Sequence, residues 1–134
     1  MVSWQTTTAS LLSRLTVKQL LQRDVSVEKL RGQIGAIERL FPAHPPGFEV
    51  AHDHPLPNCD ADWLRVRGAR TDRMLLHFPG GAYVVRLPNM ERAMLARLCT
   101  AANARARIVF YRLAPEHPFP AGHQDCVGAY EQLL

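Results

Sequence analysis

Residues 77–83 read HFPGGAY and follow directly on the apolar run Met74, Leu75, Leu76. Three chemistries compete for this stretch. A phosphate-cradling loop requires G-x-G-x-x-G or G-x-x-x-x-G-K-[ST], and PGGAYVVR supplies neither the spacing nor the lysine. A plain turn is well served by Pro-Gly-Gly. An oxyanion-binding loop is served as well, because consecutive small residues let backbone N–H groups approach one point unobstructed and stabilise a developing negative oxygen there. Two other groupings carry reactive atoms. Cys126 and His123 lie three residues apart, on one face of any helix that holds them, but a thiol nucleophile also needs an orienting third group and a pocket. His52, His54 and Cys59 are ligand types zinc accepts, yet their irregular spacing in a Pro-rich stretch fits no standard finger; solvated loop histidines and buried structural thiols are the ordinary outcome.

No serine stands where a nucleophile would be needed. All four serines, Ser3, Ser10, Ser13 and Ser26, precede residue 27, so no later strand-to-helix turn carries the serine of a G-x-S-x-G elbow. The remaining composition excludes whole classes. At 134 residues, 47% hydrophobic and 21% charged, the chain has the balance of one globular domain. Its net charge of +4 comes from arginines spread along the sequence, without the basic runs interleaved with aromatics that mark a nucleic-acid surface. No apolar stretch is long enough for a membrane span, and the first ten residues lack the order of a signal peptide, so a cytoplasmic location is expected. Three widely spaced cysteines suit reduced thiols better than a disulfide framework.

The elements that must position these residues fall into two zones. Residues 9–24 and 26–41 have helical periodicity; in the second, Val27, Leu30, Ile34, Ile37 and Phe41 recur at three- and four-residue steps behind Ser26 as N-cap. The Pro- and His-rich segment 42–58 reads as a linker with at most one short edge strand around FEVAH. Beyond it, DWLRVRGA alternates like a half-buried strand and RMLLHF is a short apolar strand. NMERAMLARLCTAANA sets Met90, Met94, Leu98 and Ala102 on one helical face, ARIVFYR suits a strand buried on both sides, and HQDCVGAYEQLL opens a final helix. Such alternation builds an α/β sheet, in which the glycine stretch occupies a crossover loop beyond the carboxyl end of a strand, the usual place for a ligand.

A second motif, YRLAPEHPFPAGHQD at 111–125, follows the ARIVF strand. Together with FPGGAY it resembles the hormone-sensitive-lipase family of α/β-hydrolase esterases (bacterial family IV), whose members carry an H-G-G-G-type loop and then Y-R-L-A-P-E-H-P-F-P-A with an acidic residue a few positions on. The resemblance implies the N-terminal portion of that fold: cap helices over 1–45, then the first half of the hydrolase core over 46–134, with about four strands and crossover helices. It implies that Gly80, Gly81 and Ala82 form the oxyanion hole through the N–H groups of Gly81 and Ala82, with a third donor from the residue after a nucleophile. Pro79 stands where the motif has histidine; it stiffens the loop but offers no side-chain hydrogen bond. Tyr83 is expected in the core, or else beside the acyl pocket as a substrate-binding residue. Tyr111, Arg112, Glu116, His117 and Asp125 are expected as structural supports, with Arg112 and Glu116 paired to each other and His117 and Asp125 bracing the loop and helix start.

In that family the elbow serine, the acid and the histidine all follow the part matched here. The expectation is therefore a carboxylic ester hydrolase, needing no metal or cofactor, whose triad is brought by a separate C-terminal half; this chain alone would be inactive. The RMLLHF strand would then stand at an open edge, which natural sheets rarely leave bare. The C-terminal half is the expected partner for that edge, small acyl esters the expected substrates, and self-association through the same edge the alternative. A rival class is a non-catalytic binding protein or receptor of the same fold, toward which Pro79 is a step.

Overall fold

The computed structural model describes residues 26–134 apart from Arg67 and Ala69; the helix expected over 9–24 lies outside this range. Seven elements follow in order: α1 (Val27–Glu38), β1 (Phe48–Leu56), β2 (Cys59–Val66), β3 (Met74–His77), α2 (Pro88–Ala102), β4 (Arg105–Phe110) and α3 (Ala121–Glu131). The strands form one mixed sheet in the order β1-β2-β4-β3. β1 and β2 are an antiparallel hairpin running from Phe48↔Val66 to Leu56↔Cys59, β2 pairs antiparallel with β4, and β3 runs parallel to β4 from Met74↔Arg105 to His77↔Ile108.

Ser26 begins α1, its hydroxyl accepting from the Lys29 N–H at 3.4 Å. The segment expected as a linker is largely strand. β1 is nine residues long: the edge strand expected around FEVAH is its first part, and it runs on through Asp53 to Leu56, where Pro55 and the charged and histidine side chains look unlike a strand interior. The sheet tolerates them because β1 is an edge: its register shifts between Asp53 and Leu56, where Pro55 needs no ladder partner.

Among the described residues, one helix packs on each face of the sheet. On one side Leu95, Ala96 and Cys99 of α2 pack against Leu64, Ala106, Ile108 and Phe110; on the other, Ala129 of α3 meets Cys59 and Val109. β4, between them, is buried from Ala106 to Phe110, as its unbroken apolar run implies. The face of α2 picked out from sequence is the wrong one. Met94 and Leu98 are largely exposed, and the buried stripe is Glu91, Leu95 and Cys99. A glutamate belongs there because His77 Nε2 lies 2.5 Å from its Oε2, a partner on another element that helical periodicity cannot foresee.

α2 starts with proline, which costs nothing in the first turn, and no side chain of its own caps it. The carboxylate of Glu38, at the end of α1, fills that role, accepting from the N–H groups of Asn89 at 2.8 Å and Met90 at 3.1 Å. Negative charge there also complements the helix dipole. The other end closes on Asn103 in the left-handed conformation (φ 48°), with the Ala104 N–H donating to the Cys99 carbonyl.

A candidate oxyanion loop and its supports

The strand β3 delivers the chain to Phe78 and Pro79, and the backbone then turns through three successive residues of positive φ: Gly81 at 136°, Ala82 at 53° and Tyr83 at 60°. Left-handed backbone is costly for residues with a Cβ, so two of these three positions are strained. Gly81 is demanded by contact as well as by φ, since a Cβ there would overlap the Val85 carbonyl oxygen. Gly80, by contrast, has open space around it. The Gly81 carbonyl closes the turn by accepting from Val84 N–H at 2.9 Å and Val85 N–H at 3.1 Å. Among the described residues, no protein acceptor engages the N–H of Gly81 or Ala82.

Neighbouring elements fix this turn. Tyr111, buried at the end of β4, donates its hydroxyl to the Pro79 carbonyl at 2.5 Å. Burial, with smaller repulsion from Cys126 and Tyr83, raises the phenol's pKa and keeps it a donor. Ala114 N–H donates to the Tyr83 carbonyl at 2.8 Å. Tyr83 itself is not a core residue, as first expected. Its side chain is 54% exposed and leans on the Tyr111 ring at a centroid distance of 5.4 Å.

The second motif is braced differently from the pairing expected. Arg112 does not meet Glu116; it grips Asp125 on α3. Its backbone N–H donates to Oδ2 at 2.8 Å, its Nε to Oδ2 at 2.9 Å and its Nη2 to Oδ1 at 2.8 Å. Burial alone would lift the Asp125 pKa, but these bonds and the guanidinium charge outweigh it and hold the carboxyl below its ordinary value. Asp125 lies inside α3, so it supports the incoming loop and is not a helix cap. Gly122 allows that approach: a Cβ there would stand 2.8 Å from the Arg112 carbonyl and 3.2 Å from the Tyr83 ring. Glu116 pairs instead with Arg31, at 2.6 and 2.9 Å, which holds its carboxyl down to about 2. His117 is exposed, and only its backbone N–H is engaged, donating to the Leu113 carbonyl at 2.9 Å.

Two supports were not anticipated. Arg31 joins the loops from α1, and Arg86 donates through Nη2 to the carbonyls of Phe110 at 2.9 Å and Tyr111 at 2.5 Å. Neither carries a local signal, since an arginine that bonds backbone carbonyls far along the chain looks like any surface arginine. An open groove of about 520 Å³ runs along the second loop, bounded by Arg31, Asn58, Arg86, Arg112 and His117.

The grouping of His52, His54 and Cys59 is split across the sheet. His52 Nδ1 lies 2.6 Å from Asp62 and His54 Nδ1 2.9 Å from Asp60, across the β1/β2 hairpin. Cys59 points to the other face, into the cluster with Val109 and Ala129, where burial pushes its thiol up to about 12. Cys126 is likewise pushed up by burial, to about 11, and His123 stacks on Phe119 with ring centroids 6.5 Å apart. A protonated thiol is a poor nucleophile. No helix among the described residues is long and apolar enough to cross a membrane.

Comparison with known proteins gives the same architecture. Residues 75–134 match a family model described as the alpha/beta hydrolase fold. An acetyl-hydrolase of Streptomyces hygroscopicus is 43% identical over 91 residues, covering 67% of this chain and 28% of that protein. A carboxylesterase/phospholipase, LipF, of Mycobacterium tuberculosis is 32% identical across 93% of this chain and 35% of its own length. Among solved structures, an esterase from the bacterial hormone-sensitive lipase family superposes with a TM-score of 0.72 at 29% identity, covering 87% of this chain and 38% of that one. The chain thus spans about a third of the length of the relatives it matches.

Proposed function

Because the chain belongs to the hormone-sensitive-lipase family of α/β-hydrolases, we propose that it provides the oxyanion-binding part of a carboxylic ester hydrolase. The serine, histidine and acid come from a C-terminal segment paired against the open edge of β3. The reading rests above all on the strained turn at 81–83, which follows β3 directly and leaves the N–H groups of Gly81 and Ala82 without protein acceptors among the described residues. Strain of this kind persists where surrounding structure enforces it, and it gathers at working sites.

The chemistry then runs as acyl transfer. A serine oxygen attacks the ester carbonyl while histidine takes its proton, and the carbonyl oxygen becomes an oxyanion that the N–H groups of Gly81 and Ala82 receive. Collapse expels the alcohol, protonated by the same histidine, and leaves an acyl-serine that water hydrolyses by the same sequence. Each donor is worth on the order of 10²–10³ in rate. Pro79 removes a histidine from the motif, but its carbonyl is still held by Tyr111, which favours a working loop over a binding-only descendant. Gly80 supplies flexibility ahead of the donors, and Tyr83, whose exposure supports the assignment, meets the acyl group. Three unpaired thiols suit a cytoplasmic setting.

The test is direct. The chain combined with the segment that carries the serine elbow is assayed on p-nitrophenyl acetate and butyrate, and turnover is expected. A folded assembly with an intact elbow serine and no turnover would overturn the reading in favour of a binding role.

A further inference from the structure

Arg31 reaches three acceptors on two loops at once. Its Nε donates to the Val84 carbonyl at 2.9 Å, its Nη2 to the Ala114 carbonyl at 2.8 Å, and its Nη1 and Nη2 to the two oxygens of Glu116 at 2.6 and 2.9 Å. Val84 follows the left-handed turn and donates its N–H back to the Gly81 carbonyl. Ala114 donates its own N–H to Tyr83, the last residue of that turn. One planar guanidinium therefore closes a ring of contacts: Arg31 to Val84, Val84 to Gly81, Tyr83 to Ala114 and Ala114 back to Arg31. The fork geometry is essential. A lysine ammonium matches the charge of Glu116 but is a point donor on a flexible stem and cannot present parallel N–H groups to a carboxylate while bonding two carbonyls.

We propose that Arg31 is a positioning residue for the oxyanion loop, holding the 81–84 turn in register with the 111–117 loop through its fork and not merely through its charge. The proposal rests on the ester-hydrolase reading for its catalytic consequence and on the contacts above for its structural one. Glu116, in this account, serves to orient the guanidinium, and its exposed side chain is secondary to the two carbonyls.

The experiment compares Arg31→Lys, Arg31→Ala and Glu116→Gln with the wild type, in the chain together with its elbow-bearing segment, by two readouts. Amide exchange at Val84 and Val85 reports the turn, and steady-state kinetics on p-nitrophenyl butyrate report its use. Arg31→Lys is expected to speed exchange at both amides as much as Arg31→Ala does. It should lower kcat on the order of 10²-fold, the cost of a misplaced catalytic geometry, with KM little changed, and Glu116→Gln should do less on both counts. Rescue by lysine, or an effect of Glu116→Gln as large as that of Arg31→Lys, would reduce Arg31 to an ion pair and overturn the proposal; so would a loss confined to KM. If the wild-type assembly does not turn over ester, the hydrolase reading fails by itself, and the exchange comparison still decides whether Arg31 holds the turn.

Discussion

Two loops leave the same end of the sheet, one after β3 and one after β4; Arg31 touches both, but their other supports differ. The loop after β4 is tied to the element that follows it: Arg112 grips Asp125 on α3, and the His117 N–H returns to the Leu113 carbonyl. The loop after β3 has one internal closure, at the Gly81 carbonyl, and is otherwise held from outside by Tyr111, Ala114 and Arg31. The second loop is thus a scaffold and the first its cargo. This explains why the two motifs occur together: Tyr111 and Ala114 of one hold the carbonyls of Pro79 and Tyr83 in the other.

That contrast can be broken at the cargo first. Gly81→Ala forces a Cβ onto the Val85 carbonyl at a φ of 136°. It should cost about 3 kcal/mol of stability by strain alone, seen as a lower urea midpoint, and abolish ester turnover. At the scaffold, Asp125→Asn removes a buried acceptor of charged bonds and should cost about 2 kcal/mol. The pH dependence identifies the source. Since the folded Asp125 carboxyl titrates below its ordinary value, its contribution is complete above about pH 4, the unfolded value, and disappears as pH falls through the folded one. Acid unfolding followed by far-ultraviolet circular dichroism should accordingly lose part of its pH slope in the Asn variant.

Where scaffold touches cargo, Tyr111→Phe leaves the Pro79 carbonyl without its donor. The expected loss is about 1.5 kcal/mol, with kcat reduced more than KM if the bond shapes the working turn. The smallest effect sharpens the comparison. Ala82→Gly relieves a left-handed alanine but adds freedom to the unfolded chain, so the change should stay within about 1 kcal/mol of zero. A gain much larger than that would mean the neighbours force more strain onto Ala82 than a φ of 53° implies.

Much of this was readable from the residues. The glycine loop, β2, β3, β4 and both later helices follow from periodicity and turn chemistry over short stretches, and the second motif from its resemblance to the esterase family. What escaped is long-range. The extension of β1 from Asp53 to Leu56 is hidden because aspartate, histidine and proline read as linker, whereas an edge strand accepts them. The buried face of α2 is hidden because it carries Glu91, whose partner, His77, is on β3. Arg112 and Glu116 were joined because they are close in sequence, while their partners, Asp125 and Arg31, are selected by the fold.

The burial of the thiols gives the folded chain a silent clock. With Cys59 and Cys99 buried and their thiols raised, Cys59 to about 12, alkylating reagents at neutral pH find few thiolates to attack there until a helix lifts from the sheet. Cys99 then records departures of α2, and Cys59, packed against Ala129, those of α3, so the order in which these two sulfurs are capped by iodoacetamide reads out which side of the sheet opens first.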